Sequence, residues 1–407
     1  MLQQYLTAMR MEGSSNPHYE RDISHTINSI ERFASKDIKN VTTADILNFL
    51  NHFKKAEEID PLHKWIGTYN IHLNRLVKFF KWLYYPNLPA RERPRPPIVA
   101  NLRTIKRREK SIYKPTDIWS QEDDLLFLKY CPSKRDRCYH AISRDSSCRP
   151  VEILRLKIKD VVFKLAGNRQ YAEVLVNGKT GSRHIPLINS IPYLKDWLDE
   201  HPFKTNPNIH LICGFGKSLG RQTKEIQWWK IYNKYKTEVF PKFLENPNIN
   251  PEDKQKIKKL LTKPWNPYIR RHSALTEKSK ILKESILRQH AGWTNDSKMP
   301  NIYLHYFGNE SNESILEAYG LKTKSESIDI MKPVQCPNCG ESCKIDSRFC
   351  PKCRMVLTYD AYSETIEQKE SDITILMRKI DALEESQREI RECMKHPDKL
   401  LKIANED

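Results

Sequence analysis

The sequence predicts a mainly α protein with a small antiparallel β-sheet, an α+β chain of several modules. Three observations predict it. Apolar residues recur at helical spacing in three stripes before Pro89. Strand-like runs are few, with one pair at 171–176 and 184–187 facing across the turn-rich stretch Asn177-Gly178-Lys179-Thr180-Gly181-Ser182-Arg183. A heptad pattern then marks the tail. A chain of 407 residues suits two or three domains.

Charge narrows the class of partner. The formal net charge is +18. Residues 361–407 hold 12 acidic and 8 basic side chains, so the first 360 carry a net +22. The excess sits in the body of the protein and points to a polyanion. A generally soluble basic protein is the plainer alternative. A membrane-surface protein fits less well, since there is no lipidation signal or basic amphipathic anchor. No apolar run reaches the roughly 18 residues of a membrane span, and the first residues lack a signal peptide's pattern. A cytoplasmic location without membrane contact is expected. Five of the ten cysteines fall between Cys336 and Cys353, which in a reducing compartment reads as metal binding.

Residues 1–90 read as a helical module. Ile23, Ile27, Ile30 and Phe33 form the first stripe; Thr42 and Asp45 then make a capping box before Ile46, Leu47, Leu50 and Phe53; Leu73, Leu76, Val77, Phe80 and Leu83 form the third. Lys54, Lys55, Lys64, Arg75, Lys78 and Lys81 are expected on the outer faces, where a solvated helical bundle is the ordinary reading. Residues 91–118 form a Pro-rich, basic linker. Proline excludes helix there, and Arg103, Lys106, Arg107, Arg108 and Lys110 suit a crossing over a nucleic-acid backbone.

A second domain spans 119–325. Ser120 caps a helix through Leu125, Leu126 and Leu128. Pro150 suits a first helical position, which places Arg149 at a helix N-terminus, with Glu152 one turn on to orient a guanidinium. Lys179 lies in the predicted hairpin, where a lysine is usually just exposed. Helices are expected over 190–198 and 227–240, with a charged, flexible insertion over 245–263. Then come Tyr268, the pair Arg270-Arg271, His272, Gly292-Trp293 and Tyr303. An arginine fork holds two phosphate oxygens at once, and a phenol oxygen can bond covalently to phosphorus. A helix through Ile315, Leu316 and Tyr319 closes the domain at Gly320.

Cys336-Pro-Asn-Cys339 and Cys350-Pro-Lys-Cys353 form two knuckles with ten residues between them. Four thiolates on two tight turns suit a structural Zn²⁺ over 332–358, with a redox role as runner-up and Cys343 as a spare thiol. In 361–395, Ile366, Ile373, Ile380 and Gln387 fall seven apart, with Leu376, Leu383 and Ile390 at the matching d positions. That spacing predicts a coiled-coil helix that self-associates. A helix docked on its own chain is the alternative.

Taken together, Arg149, Lys179, Arg271, Trp293 and Tyr303 resemble the tyrosine recombinase (phage-integrase-like) family. The segments carrying the resemblance are CRPVEILRLKIKDV, GKTGSRHIPL, RRHSALT and AGWTNDSKMPNIYLHY. They stand in order within residues 1–325, and the CPxCG cysteines have an archaeal look. One position departs: the family usually carries His or Lys three residues before its second Arg, and here Tyr268 stands there.

The resemblance, which covers residues 1–325, implies a helical core-binding domain and a catalytic domain; the cysteine and heptad spacings add a C-terminal zinc ribbon and a coiled-coil helix. It implies a site-specific recombinase or integrase of a mobile element, working without ATP or a catalytic metal. Tyr303 would form a 3′-phosphotyrosine, Arg149 and Arg271 would clamp the phosphate, and Lys179 would protonate the leaving oxygen. Trp293 would donate its indole N–H to a phosphate oxygen or pack the clamp, and Tyr268 would add a donor. The partners implied are double-stranded DNA with specific sites and further copies of the chain, a dimer on a site and a tetramer in the synapse. A non-catalytic DNA-binding regulator that kept the fold is the alternative.

Overall fold

The computed structural model describes residues 1–13, 16–107, 113–167, 169–178, 180–304, 319 and 329–395. The chain divides into two compact units, Met1–Ile112 and Tyr113–Asp407. Among the described residues no helix is long and apolar enough to cross a membrane.

Four helices carry the core of the first unit: α1 (Leu2–Met11), α2 (Pro17–Ala34), α3 (Thr43–Asn51) and α4 (Trp65–Tyr84). α2 begins where the Asn16 side chain accepts from the Tyr19 N–H, with Pro17 in the first helical position. Thr42 and Asp45 form the expected capping box on α3. Ile23, Ile27, Ile30, Ile46, Leu50, Leu73, Leu76 and Phe80 are buried together. Phe33 and Leu47 fall at the edges of their stripes and are exposed. Arg75 is not free on the surface, since it pairs with Asp22 at 2.7 Å. The chain past Ala90 keeps packing on this unit through a short helix, α5 (Pro97–Ala100). Val99 and Leu102 are apolar anchors within the basic stretch, and Asn70 exchanges two 2.9 Å hydrogen bonds with the backbone of Ile105. Arg108 and Lys110 lie outside the described residues.

The second unit is built around a central helix. α6 (Gln121–Tyr130) starts on a Ser120–Asp123 capping box, and α7 (Lys134–Ser146) is buried over most of its surface. α8 (Pro150–Arg155) follows. The sheet is an antiparallel meander of three strands, β1 (Val161–Ala166), β2 (Arg169–Gly178) and β3 (Gly181–Leu187). Ala172, Val174 and Val176 alternate inward from β2, and Ile185 and Leu187 from β3, as period two demands of a half-buried sheet. Gly178 pairs with Gly181, so Asn177 and Gly178 end the strand and are not the turn.

Next come α9 (Ile191–Glu200) and α10 (Glu225–Lys234). The helix expected over 227–240 does not run through: residues Tyr235–Val239 widen to a π-helix before α11 (Phe240–Glu245). Pro241 explains this, because it lacks an N–H and its ring crowds the carbonyl one turn back. The expected flexible insertion is in fact α12 (Pro251–Thr262), capped by Asn250, with Ile257 and Leu260 fully buried in the main core. α13 (Pro267–Lys278), α14 (Glu284–Ala291) and α15 (Pro300–Leu304) complete the site region. The closing helix expected through Ile315 and Leu316 lies outside the described residues.

A charged cluster ties three helices together. Asp124 is fully buried and meets His140 at 2.9 Å, Arg144 at 2.7 Å and Arg270 at 2.5 Å. Burial alone would raise the Asp124 carboxyl, but Arg270 and His140 outweigh it and hold it below its ordinary range. Burial, reinforced by Arg270, holds His140 down at about 4, so the imidazole is neutral.

The C-terminal part begins with Met331, buried among Leu128, Ala141 and Tyr193. Two short strands, β4 (Val334–Gln335) and β5 (Ser342–Cys343), frame the cysteine knuckles. This ribbon sits on α9 through Lys195–Glu341 and Lys344–Asp196 ion pairs. The chain then forms one 37-residue helix, α16 (Tyr359–Lys395).

Candidate active site

Arg149 is the extended residue just before α8, and the sequence folds that way because Pro150 disfavours helix at the residue before it. Glu152, 2% exposed, reaches back to it. Its carboxylate accepts from the Arg149 N–H at 2.9 Å and from the Arg149 guanidinium at 3.0 Å. The same carboxylate takes a second cation, Arg183 of β3, at 2.8 Å. Arg183 stands two residues before Ile185 on the inward face of the strand. Sequence reasoning did not single it out, although the alternation carried the signal.

The C-terminal end of α14 is the hub. A helix leaves its last carbonyls without internal partners. Here three in a row are taken by three guanidiniums: His290 O accepts from Arg183 at 3.0 Å, Ala291 O from Arg271 at 2.9 Å and Gly292 O from Arg149 at 3.2 Å. Thr180 also donates to Gly292 O, at 3.1 Å, so the far side of the hairpin is anchored at the same place. Gly292 has φ +65°, and a Cβ there would lie 2.7 Å from the Arg183 guanidinium. Only glycine suits that left-handed, crowded position.

Arg271 comes from α13 and is 5% exposed. Its other nitrogen donates to Ser147 O at 2.7 Å. Burial, and then the neighbouring Arg149 charge, lower its pKa to about 10, which still leaves it charged at neutral pH. Tyr268, one turn earlier on α13, is within electrostatic reach of Arg271, Arg149 and Glu152. Burial raises its phenol above the ordinary value, so it is a neutral donor.

Tyr303 on α15 is 1% exposed and stacks on Trp293, with ring centres 5.4 Å apart. The Arg271 guanidinium carbon lies 6.0 Å from the centre of the Trp293 ring. The Tyr303 hydroxyl is 3.0 Å from His272 Nδ1. The structure thus gathers Arg149, Arg271, Trp293 and Tyr303 around the end of α14, with Tyr268 within electrostatic reach of the two arginines. Lys179 lies outside the described residues, between Gly178 and Thr180. Arg149, Arg183 and Arg271 face one carboxylate, Glu152, so these four groups hold a formal +2. Guanidiniums held by neutral carbonyls and crowded by one another attract an anion such as a phosphodiester.

Away from this centre, Cys336, Cys339, Cys350 and Cys353 converge, their sulfurs all within 4.8 Å of one another. The Cys336–Cys353 and Cys339–Cys350 separations are 3.6 and 3.5 Å. A Zn–S bond of about 2.3 Å in a tetrahedron requires sulfurs about 3.8 Å apart, so the donor set fits zinc. Both knuckles have one shape: Gly340 N–H donates to Cys336 O and Arg354 N–H to Cys350 O, and both residues have positive φ. Cys343 is buried beside Cys336 and Cys350 but is not one of the four converging sulfurs, and its thiol donates to Glu341 O.

No family model matches the chain, and no curated protein matches it. Several solved structures do. The chain is similar to XerH site-specific recombinase bound to palindromic difH substrate in a post-cleavage complex, at 20% identity over 71% of this chain and 76% of that one, with a TM-score of 0.46. A lambda integrase dimer bound to a COC′ core site matches at 14% identity over 74% of this chain and 75% of that one, with a TM-score of 0.49. The Tn1549 transposon integrase in complex with transposon right end DNA matches at 13% over 78% and 99%, with a TM-score of 0.48. The structures to which this chain is similar are site-specific recombinases and integrases.

Proposed function

We propose that the protein is a site-specific DNA recombinase that cuts and rejoins DNA through a 3′-phosphotyrosine. The observation that carries this reading is the meeting of Arg149, Arg271 and the stacked Trp293–Tyr303 pair around the end of α14. Arg149 and Arg271 grip the nonbridging oxygens of the scissile phosphate, where charge grows in the transition state. A phosphodiester monoanion attacked by a phenolate becomes a dianion, and the net positive charge of Arg149, Arg183, Arg271 and Glu152 offsets the growth of that charge. Tyr303 supplies the attacking oxygen, and Lys179, whose placement is not described, the proton for the leaving 5′-oxygen. Tyr268 and Trp293 donate further hydrogen bonds. Bond energy is kept in the enzyme–DNA link, so the reaction needs neither ATP nor a catalytic metal.

The basic first unit and the stretch after it serve as a DNA clamp. Zn²⁺ held by Cys336, Cys339, Cys350 and Cys353 folds the ribbon, which is too short to have a core of its own. α16 joins two copies of the chain. Its seam residues Ile366, Ile373, Ile380, Leu376, Leu383 and Ile390 are 37–64% exposed. Ile at a with Leu at d favours a parallel pair, in which Lys379 of one copy meets Glu384 of the other. The working unit is a dimer on each site and a tetramer when two sites meet, in the cytoplasm on the nucleoid of its host.

Tyr268, standing where the family carries His or Lys, is the one observation that favours a DNA-binding regulator without cleavage. A nicked DNA substrate separates the two. The recombinase leaves a covalent protein–DNA adduct that disappears in Tyr303→Phe, and the regulator leaves none with either protein.

A further inference from the structure

We propose that His272 is the base that takes the proton from Tyr303 as that oxygen attacks phosphorus. The inference rests on the recombinase reading and concerns the same site. Its ground is geometric. His272 follows Arg271 on α13, and its Nδ1 lies 3.0 Å from the Tyr303 hydroxyl, with the two rings stacked at 27° and centres 5.7 Å apart. A neutral imidazole whose Nδ1 accepts from the phenol carries its own proton on Nε2. The step balances: the Tyr303 O–H bond breaks and its proton passes to Nδ1. The oxygen bonds to phosphorus, the P–O5′ bond breaks, and the leaving oxygen is protonated by the acid opposite. Religation returns the proton by the same route.

The other groups described at the centre are poorer bases. Arg271 and Arg149 are cations, Glu152 is engaged by Arg149 and Arg183, and Tyr268 is a phenol whose proton burial holds more firmly. Among the described residues, the titratable or charged groups that face the His272 ring are Arg271 beside it, Tyr303 from α15, and Tyr113, whose ring centre is 4.9 Å away. Burial first, and Arg271 second, bring His272 down to about 4, so it is uncharged and ready to accept. A phosphate seated on Arg149 and Arg271 cancels the second of these effects. The imidazole then becomes a stronger base only once DNA is in place, which keeps the phenol protonated until a substrate is bound.

The test uses the full-length protein and a duplex selected from random-sequence DNA for binding to Tyr303→Phe, rebuilt as a set of singly nicked substrates. Single-turnover adduct formation is followed from pH 5 to 9 for wild type, His272→Ala and His272→Gln. Duplex binding serves as the check that each variant folds. A positioned base contributes roughly 10²–10⁴-fold. The proposal expects both variants to bind DNA within twofold of wild type and to cleave about 100-fold more slowly at pH 7. Their rates should rise tenfold per pH unit toward pH 9, and added imidazole should restore part of the loss in His272→Ala. Two results overturn the proposal alone: variants that cleave at the wild-type rate with an unchanged pH profile, and a loss equal at every pH that imidazole does not touch. If wild type forms no adduct on any substrate, the recombinase reading falls and this inference with it.

Discussion

Glu152→Gln tests how the arginine pair is held. The carboxylate is 2% exposed and binds two guanidiniums, Arg183 at 2.8 Å and Arg149 at 3.0 Å. Glutamine keeps the shape and one acceptor but removes the charge, leaving Arg183 largely buried without a counterion. Breaking such a pair costs about 3–5 kcal/mol when one partner is lost outright, so about 3 kcal/mol is expected here. For a unit of this size that lowers the melting temperature by roughly 5 °C. The pH dependence supplies a second reading. Burial raises the Glu152 carboxyl, but Arg183 and the Arg149 N–H outweigh it and hold it below the ordinary value. A folded-state pKa below the unfolded one gives stability that is complete above about pH 5 and disappears as pH falls through the folded value. The variant should lack that acid-sensitive component. The assay is thermal melting of both proteins from pH 3 to 8. A difference under 1 °C at pH 7, or one that persists undiminished at pH 3, would refute the account of Glu152 as the anchor of the clamp.

Three further outcomes are expected. Leu260→Ala, on the helix that charge density disguised, should cost about 2–5 kcal/mol by denaturant titration, as deletions in a packed core do. A surface insertion would lose almost nothing. The purified protein should carry one zinc per chain, and a chelator should unfold residues 332–358 in hydrogen exchange while α7 stays protected; zinc in Cys336→Ser at the wild-type level would contradict this. Leu376→Lys with Leu383→Lys should convert a dimer to a monomer in sedimentation without DNA, and an unchanged mass would rule out the α16 pairing.

What could be read from the sequence was local. The arginine boxes, the cysteine knuckles and the seven-residue repeat are short patterns, and each is described as one helix end, one turn pair or one long helix. What could not be read depended on tertiary context. The Ile257–Leu260 pair is a minimal apolar face among lysines, so period alone understated α12. Pro241 inside a helical pattern changed the winding of the turn before it. Asn177-Gly178 looked like a turn, yet the pairing of β2 and β3 ran on to Gly181. The three carbonyls at the end of α14 collect Arg149 from just before α8, Arg183 from β3 and Arg271 from α13, which together span more than 100 residues of chain, and no spacing rule announces that. The contact between His272 and Tyr303 is of the same kind.

The most direct test of the central claim is to map the covalent bond. Wild-type protein is incubated with nicked duplex, the adduct is digested, and the nucleotide-bearing peptide is sequenced by mass spectrometry. The account predicts a 3′-linked nucleotide on Tyr303 and no adduct from Tyr303→Phe. A nucleotide on any other residue, or an adduct that survives the substitution, would contradict it.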